Sequence, residues 1–407
     1  LKKISSTYKN LKKKVFKLIE NRNFIVSIFI FFSISASFQA LLLPSNPNPN
    51  RANRAYTRYN NYKIFESSHF HLKTDKDLYK YYEDEHWDLF KYTPTFAAFF
   101  GVFTLFPDWL GLNLWNLLNT LLLVYSVYYL PKINRFQKGA ILLFCLLELI
   151  TSIQNEQSNA VIAGLIIFSF GLLSRNKYFL GIFCIFSATF IKLFGIVALS
   201  FFLIFEKKQK FIFLSFIIFF SLLLFPLFFT DLTQYLIQGN SYLGLLKQDF
   251  TNNYGFSLMG SIKAITGYRV NKELFVLIGI ILFCLPLLRI KNFKFYKFRL
   301  LLLSSILIWV VIFNHKAESP TFIISVIGVA IWFITNPKSK LNIILASLVF
   351  IFASWGSTDL FPRLILKSFI EPFKLKGLVC SFVWFKIIYD MFYFEPDSKI
   401  KKLVLLS

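Results

Sequence analysis

YFLGIFCIFSATFIKLFGIVALSFFLIF, residues 178–205, runs for 28 residues with one charged side chain, Lys192, near its middle. As a single helix it would be about 42 Å long at 1.5 Å per residue, well beyond the roughly 30 Å of a hydrocarbon core. A lysine at the bilayer centre costs roughly 3 kcal/mol even on a lenient insertion scale. Two shorter helices meeting at Lys192 on the membrane surface avoid both problems, so the sequence predicts a break there. Lipid offers no partner for backbone N–H and C=O groups, and apolar runs of this kind must therefore be helical.

Similar runs lie on both sides of this one, at 24–43, 111–130, 139–153, 160–174, 211–229, 274–288, 299–313, 321–335, 341–354 and 377–394. With 56% hydrophobic and 19% aromatic residues in 407, and a mean hydropathy of +0.57, the chain is no ordinary soluble domain. Strand-like alternation of the membrane-barrel kind is absent from the sequence. The expectation is an all-α polytopic membrane protein with about twelve transmembrane helices. They would form one domain over 24–394, between a basic segment 1–23 and a tail 395–407. The run 24–43 is followed by Pro44-Ser45-Asn46-Pro47 without a small-x-small cleavage site. It reads as a retained anchor rather than a signal peptide.

The net charge of +24 would suit nucleic acid if it were gathered on one patch. Instead it is divided among the gaps between apolar runs. Residues 1–23 hold eight Lys/Arg against Glu20, and further clusters fall at Lys132/Arg135/Lys138, Arg175/Lys177, Lys207/Lys208/Lys210, Arg289 to Arg299, Lys338/Lys340 and Lys399/Lys401/Lys402. Basic residues in short loops mark the cytoplasmic side, and they also meet anionic headgroups. The lipid bilayer is the expected partner, and nucleic acid is not. Placing every cluster inside puts the N-terminus in the cytoplasm. It leaves outside a long loop 44–92, a re-entrant or interfacial helix 93–108 bounded by Pro94 and Pro107, and the turn 154–159. Lys192, a second long loop 230–273, the turn 314–320 and residues 355–376 fall on the same side. The Phe-, Ile-, Lys- and Asn-rich composition suggests an AT-rich bacterial genome, and with it an inner (plasma) membrane location.

The outer face gathers the uncommon polar residues, and ionisable groups at a membrane edge are functional candidates by default. Loop 44–92 alone holds seven carboxylates and eight Lys/Arg. Glu83, Asp84 and Glu85 read as a solvated face. Asp88, beside Trp87 at the return to the membrane, is expected to be partly desolvated, as a general base needs to be; Glu66 is its rival. Lys192 and Lys316 suit a phosphate or diphosphate as point charges. Glu318 beside His315 fits a second acid, a sugar-hydroxyl partner or a structural pair. Gln154, Asn155, Glu156, Gln157 and Asn159 are more polar groups than helix capping uses. Asn252-Asn253-Tyr254 has the composition of a sugar contact, and Glu148 and Asp390 lie within helices.

His69, His71, His86 and His315 have no metal-ligand spacing. Cys145, Cys184, Cys284 and Cys380 fall in apolar runs as packing residues. No Gly-rich phosphate cradle is present, so neither a metal nor a cofactor is expected. An inverted repeat of the transporter kind is not evident.

Asn61 to Glu66, Asp77-Leu78-Tyr79 and Tyr92-Thr93-Pro94-Thr95-Phe96 together resemble the first outer loop of the GT-C superfamily of membrane glycosyltransferases. The resemblance is nearest to glycosyltransferase family 87, which includes polyprenol-phosphate-mannose-dependent mannosyltransferases. Glu156-Gln157-Ser158-Asn159 resembles that family's Gly-Gln-x-Asn segment. Ile191-Lys192-Leu193-Phe194 resembles its Lys-Pro step, with Leu193 in place of proline. The resemblance implies a GT-C-like bundle with two long extracytoplasmic loops. It also implies a hexosyltransferase that moves a mannose-like or other sugar from a polyprenyl-phosphate donor to an envelope glycan or glycolipid acceptor, with inversion and without a metal.

Substrate-binding roles then fall to Asn61, Asp77, Tyr79, Tyr92, Gln157, Asn159 and Lys192, joined by His315, Lys316 and Glu318 on the same face. Lys192, helped by Lys316, would stabilise the departing phosphate. One departure matters. The family's loop aspartate aligns with Asn61, whose amide is no base at neutral pH, and this leaves Asp88 and Glu66 as the expected catalytic carboxylates. A flippase for lipid-linked sugars and a non-catalytic envelope-assembly protein are the competing readings.

Overall fold

The computed structural model describes residues 2–48, 51–248 and 254–396. Asn252 and Asn253 of the expected sugar contact, and the tail lysines Lys399, Lys401 and Lys402, lie outside the described residues. Almost all of the described secondary structure is helical, as the apolar runs require.

Helix α1 (Lys2–Glu20) leads into α2 (Arg22–Leu42), whose first turn is capped by Asn21: its Oδ1 accepts from the Asn23 and Phe24 amides at 3.0 and 3.3 Å. A short antiparallel hairpin of β1 (Asn46–Asn48) and β2 (Arg51–Tyr56) follows, then α3 (Asn60–Lys73). Thr93 caps α4 (Pro94–Phe100), where Pro94 occupies the first position, the one place a helix loses nothing by lacking an N–H. After α5 (Asp108–Tyr129), a reciprocal cap between Asn134 and Gln137 starts α6 (Arg135–Gln154). That cap begins the helix four residues before the apolar run expected at 139.

Next come α7 (Asn159–Leu173) and α8 (Tyr178–Ile191). The predicted break is present: Lys192 is extended, at φ −137° and ψ 144°, and a 3-10 run Leu193–Ser200 leads to α9 (Phe201–Ile204). The remaining helices are α10 (Lys208–Leu224), α11 (Leu232–Gln248), α12 (Leu258–Thr266), α13 (Lys272–Cys284), α14 (Tyr296–Ile312), α15 (Phe322–Thr335), α16 (Lys340–Val349), the single turn α17 (Arg363–Ile365) and α18 (Leu375–Phe392).

Two expected loops are therefore partly helical. In 44–92 the chain forms the hairpin and α3, and in 230–273 it forms α11 and α12. The reason in α3 is amphipathic spacing: Ile64, Phe65, Ser68, His69 and Leu72 fall on one buried face while Lys73 and Phe70 look outward.

Among the described residues four helices are long and apolar enough to cross a membrane, namely Arg22–Leu42, Asp108–Tyr129, Arg135–Gln154 and Lys208–Phe228. Others, such as Asn159–Leu173 and Tyr178–Ile191, are apolar but shorter. Length and composition thus support four of the roughly twelve expected crossings.

The chain divides into two compact units, Leu1–Leu199 with Lys207–Asn252, and Ser200–Glu206 with Asn253–Ser407. In the first, α7 is buried on nearly every face by α5 and α8, and α2 packs on α5 and α6. The second is built on α14, α15 and α18, with Trp332 and Trp384 wholly buried. Within it Gly255, at φ +54°, lies against the Ala317 carbonyl at a place where a Cβ would come within 2.4 Å of that oxygen. Only glycine fits there.

Candidate functional site

The residues that the sequence singles out around Lys192 are brought together in the first unit. Because α8 stops at Ile191, the Lys192 side chain is freed from helical geometry and meets the start of α7. Its ammonium donates to Gln157 Oε1 at 3.3 Å and to Asn159 Oδ1 at 3.2 Å. It also stands 5.0 Å from the centre of the Tyr92 ring, within cation–π range. Every polar partner it has among the described residues is neutral. A half-buried cation held by dipoles and a π face keeps its charge available to an anion, which a carboxylate partner would have neutralised.

Tyr92 is 6% exposed and organises this cradle. Its hydroxyl donates to Gln157 Oε1 and accepts from Ser158 Oγ, both at 3.3 Å. Its carbonyl accepts from the Tyr79 hydroxyl at 2.9 Å. The ring lies 4.7 Å from Phe96 and 4.9 Å from Phe65. The next residue, Thr93, donates its hydroxyl to the Phe190 carbonyl and so ties this strap to the end of α8.

Asp77 and Tyr79 support the cradle from outside it. Asp77 accepts from the Tyr79 amide at 2.9 Å and from Ser241 Oγ of α11 at 3.0 Å. Gln238, one turn earlier on α11, accepts from the Leu78 amide at 2.9 Å and donates to the Lys76 carbonyl at 2.8 Å. Burial pushes the Tyr79 phenol well above its ordinary pKa, with Tyr242, Asp77 and Tyr235 acting in the same sense, so it remains a donor to Tyr92.

Asn61 binds the same turn from α3. Its Nδ2 donates to the Asn155 carbonyl at 2.8 Å, and its backbone N–H, in the uncapped first turn of α3, reaches the Glu156 carboxyl. Glu156 itself is left-handed, at φ +47°, and accepts from Trp115 Nε1 on its carbonyl at 2.7 Å. Its side chain is nearly fully buried, and Oε1 has no hydrogen-bond partner among the described residues.

This is the functional candidate that sequence reasoning missed. It stood among the turn's amides without being singled out; a lone acid between two apolar runs was its one local sign, and its burial against Asn61 had none. Burial pushes its carboxyl well above the usual carboxylate range, against the opposing pull of the Asn61 N–H.

The sign of the consequence follows from linkage. With the folded pKa above the ordinary 4.5, the folded chain keeps a proton that the unfolded chain releases. The associated stability is complete below that ordinary value and is lost as pH rises toward the raised one. Glu156→Gln, permanently neutral, should match the wild type in thermal unfolding near pH 4.5 and exceed it by a margin that widens toward pH 8. A difference that stays constant over that range would contradict the assignment.

The two expected catalytic carboxylates are engaged elsewhere. Glu66 lies 2.6 Å from the Lys63 ammonium, which is also 2.7 Å from Asp108, and Tyr59 donates to Asp108 at 3.0 Å. Burial alone would lower the Lys63 pKa, but hydrogen bonds to Asp108 and Glu66 outweigh it and the net shift is upward. The partial desolvation expected of Asp88 is not found. Its side chain is 53% exposed, paired with Lys91 at 3.0 Å, because the turn that carries it, with Trp87, faces outward. Of the acids expected to form a solvated face, Glu85 has its carboxylate 2.8 Å from Nε2 of the buried His71.

In the second unit His315, Lys316 and Glu318 occupy the turn between α14 and α15. The Lys316 amide donates to Asn314 Oδ1 at 3.2 Å, Glu318 is exposed, and the Phe256 amide donates to the Ala317 carbonyl at 2.7 Å. Lys376, which the sequence did not single out, is 2% exposed and donates to Ser319 Oγ at 2.7 Å.

The sequence model of glycosyltransferase family 87 matches residues 90–355, well over half of the chain. The matched region contains Tyr92, Gln157, Asn159, Lys192, His315, Lys316 and Glu318, and begins beyond Asn61, Glu66, Asp77, Tyr79 and Asp88. No curated protein matches the chain.

Proposed function

Since this chain belongs to glycosyltransferase family 87, we propose that it transfers a mannose-like hexose, or another monosaccharide, from a polyprenyl-phosphate donor to an envelope glycan or glycolipid. Family membership itself implies a membrane glycosyltransferase; the donor, sugar and acceptor are the proposal. We place the reaction on the outer face of a bacterial inner membrane, in a multi-pass protein whose N-terminus is cytoplasmic.

The observation that carries this reading is the Lys192 cradle, a cation whose polar partners among the described residues are all neutral, next to Gln157, Asn159 and Tyr92. A sugar linked to lipid phosphate needs a positive charge where the phosphate departs and hydrogen-bonding amides where hydroxyls lie, and both are present at one turn. The step is a single displacement. The acceptor oxygen forms a bond to the anomeric carbon as the bond from that carbon to the phosphate oxygen breaks. The electron pair leaves with the phosphate, where Lys192 stabilises it, and the acceptor proton passes to a carboxylate.

Asp88 is the better placed of the two expected acids for that last role, because it is open to an incoming acceptor. Glu66 is held by Lys63 and buried more deeply, with 15% of its side chain exposed. The test is purified protein in lipid, offered radiolabelled polyprenyl-phosphate sugars and a membrane extract as the source of acceptor. Transfer of label into a new glycoside supports the proposal. Label that crosses the bilayer without forming a glycoside would overturn it in favour of a flippase. No movement of label with any donor, from protein that rescues a deletion strain, would overturn it in favour of an assembly role.

A further inference from the structure

Helix α6 carries the turn 155–158 of the candidate site at its C-terminal end. Its N-terminal end, about 30 Å away for a 20-residue helix, borders a separate cavity of about 590 Å3. Lys17 of α1, Arg22 of α2, and Arg135 and Lys138 of α6 line it, with Glu20 the one acid among its lining residues. Four cations facing one carboxylate across a shared space repel one another unless an anion joins them. The cavity is in the size range of small-molecule sites.

Its walls are fixed rather than incidental. Phe16 of α1 stacks on Phe136 at 3.8 Å, and Gly139 admits the Ile19 carbonyl to a place where a Cβ would lie 2.1 Å from it. The Arg22 guanidinium sits 5.3 Å over the Tyr128 ring, and Lys138 donates to the Tyr128 carbonyl at 2.7 Å. Tyr128 also lines the cavity, and its buried hydroxyl has no hydrogen-bond partner among the described residues. Three helices long and apolar enough to cross a membrane, α2, α5 and α6, begin or end here. Helix α1 exposes Leu11, Val15, Phe16 and Leu18 beside Lys12, Lys13 and Lys14. That composition suits a helix lying in the plane of the headgroups.

We propose that this cavity binds a phosphate group, presented by an anionic lipid headgroup or free in solution, at the end of α6 opposite the sugar-transfer site. Arg22 and Arg135 are the forked donors for its oxygens, and Lys17 and Lys138 the point charges. The inference is independent of the transfer reaction.

The full chain would be placed in nanodiscs of phosphatidylcholine with and without phosphatidylglycerol, and lipid retained on the protein read by native mass spectrometry alongside thermal unfolding. Wild type should retain phosphatidylglycerol selectively and gain thermal stability from it. The double variant Arg135→Gln/Lys138→Gln should lose that retention roughly tenfold or more. A control, Lys12→Gln/Lys13→Gln/Lys14→Gln, removes more charge from the same face but none from the cavity, and should retain the lipid. Arg22→Gln serves as a second single variant should the double variant unfold.

Inorganic phosphate, compared with chloride at equal ionic strength, distinguishes the two sources. Stabilisation by phosphate alone assigns the site to the free anion, and stabilisation only by the lipid assigns it to the headgroup. Retention that survives the cavity variants, or that falls only in the α1 control, would overturn the proposal in favour of general surface attraction.

Discussion

Lys192→Met should lower sugar transfer roughly 100- to 1,000-fold, the scale seen when a group that stabilises developing negative charge is removed. The loss should appear mainly in kcat, because charge on the phosphate grows as the bond to sugar breaks and the cation acts most strongly at that moment. Lys192→Arg keeps the charge and should recover part of the rate. The fold should survive both substitutions, since the ammonium is bound by neutral groups that need no compensating charge. A Lys192→Met enzyme that transfers sugar within a few-fold of wild type would remove Lys192 from the mechanism.

Tyr92→Ala is the substitution expected to harm the structure most. It empties a site that is 6% exposed and ringed by Phe65, Phe90 and Phe96, which for a large aromatic costs about 3–5 kcal/mol. Tyr92→Phe keeps the ring and loses only the hydroxyl's bonds to Gln157 and Ser158, at about 1 kcal/mol. The two variants therefore separate packing from polar positioning. Unfolding in denaturant should show a large loss for alanine and a small one for phenylalanine, while phenylalanine still lowers activity by loosening Gln157. Equal stability losses would mean that the hydroxyl, not the ring, holds the strap.

How much of this was legible follows from what each feature depends on. The break at Lys192 could be read because a single charge in 28 apolar residues has one inexpensive placement, and the structure puts an extended residue there. The gathering of Tyr92, Gln157, Asn159 and Lys192 was suggested by short motifs that recur together in one family. Helix α3 was hidden because its buried face mixes Ile64 and Phe65 with Ser68 and His69, so a polar composition masked an amphipathic period. Asp88 was misjudged because neighbouring aromatics were taken to mean burial, whereas Trp87 is itself 47% exposed. Glu156 depends on a left-handed backbone and on a helix end 95 positions earlier in the chain, at Asn61. No local pattern encodes such a pairing.

The clamp of α11 on Lys76 to Tyr79 reaches further than the residues it touches. Gln238 and Ser241 grip that segment, Tyr79 grips the Tyr92 carbonyl, and the Tyr92 hydroxyl grips the amide that holds the ammonium. Each link is a hydrogen bond of fixed direction, so slack introduced at α11 is passed along rather than absorbed. The helix acts as a tensioner for a cation that it does not contact. Its sequence is therefore constrained by the charge at the far end of that line, as well as by its own packing.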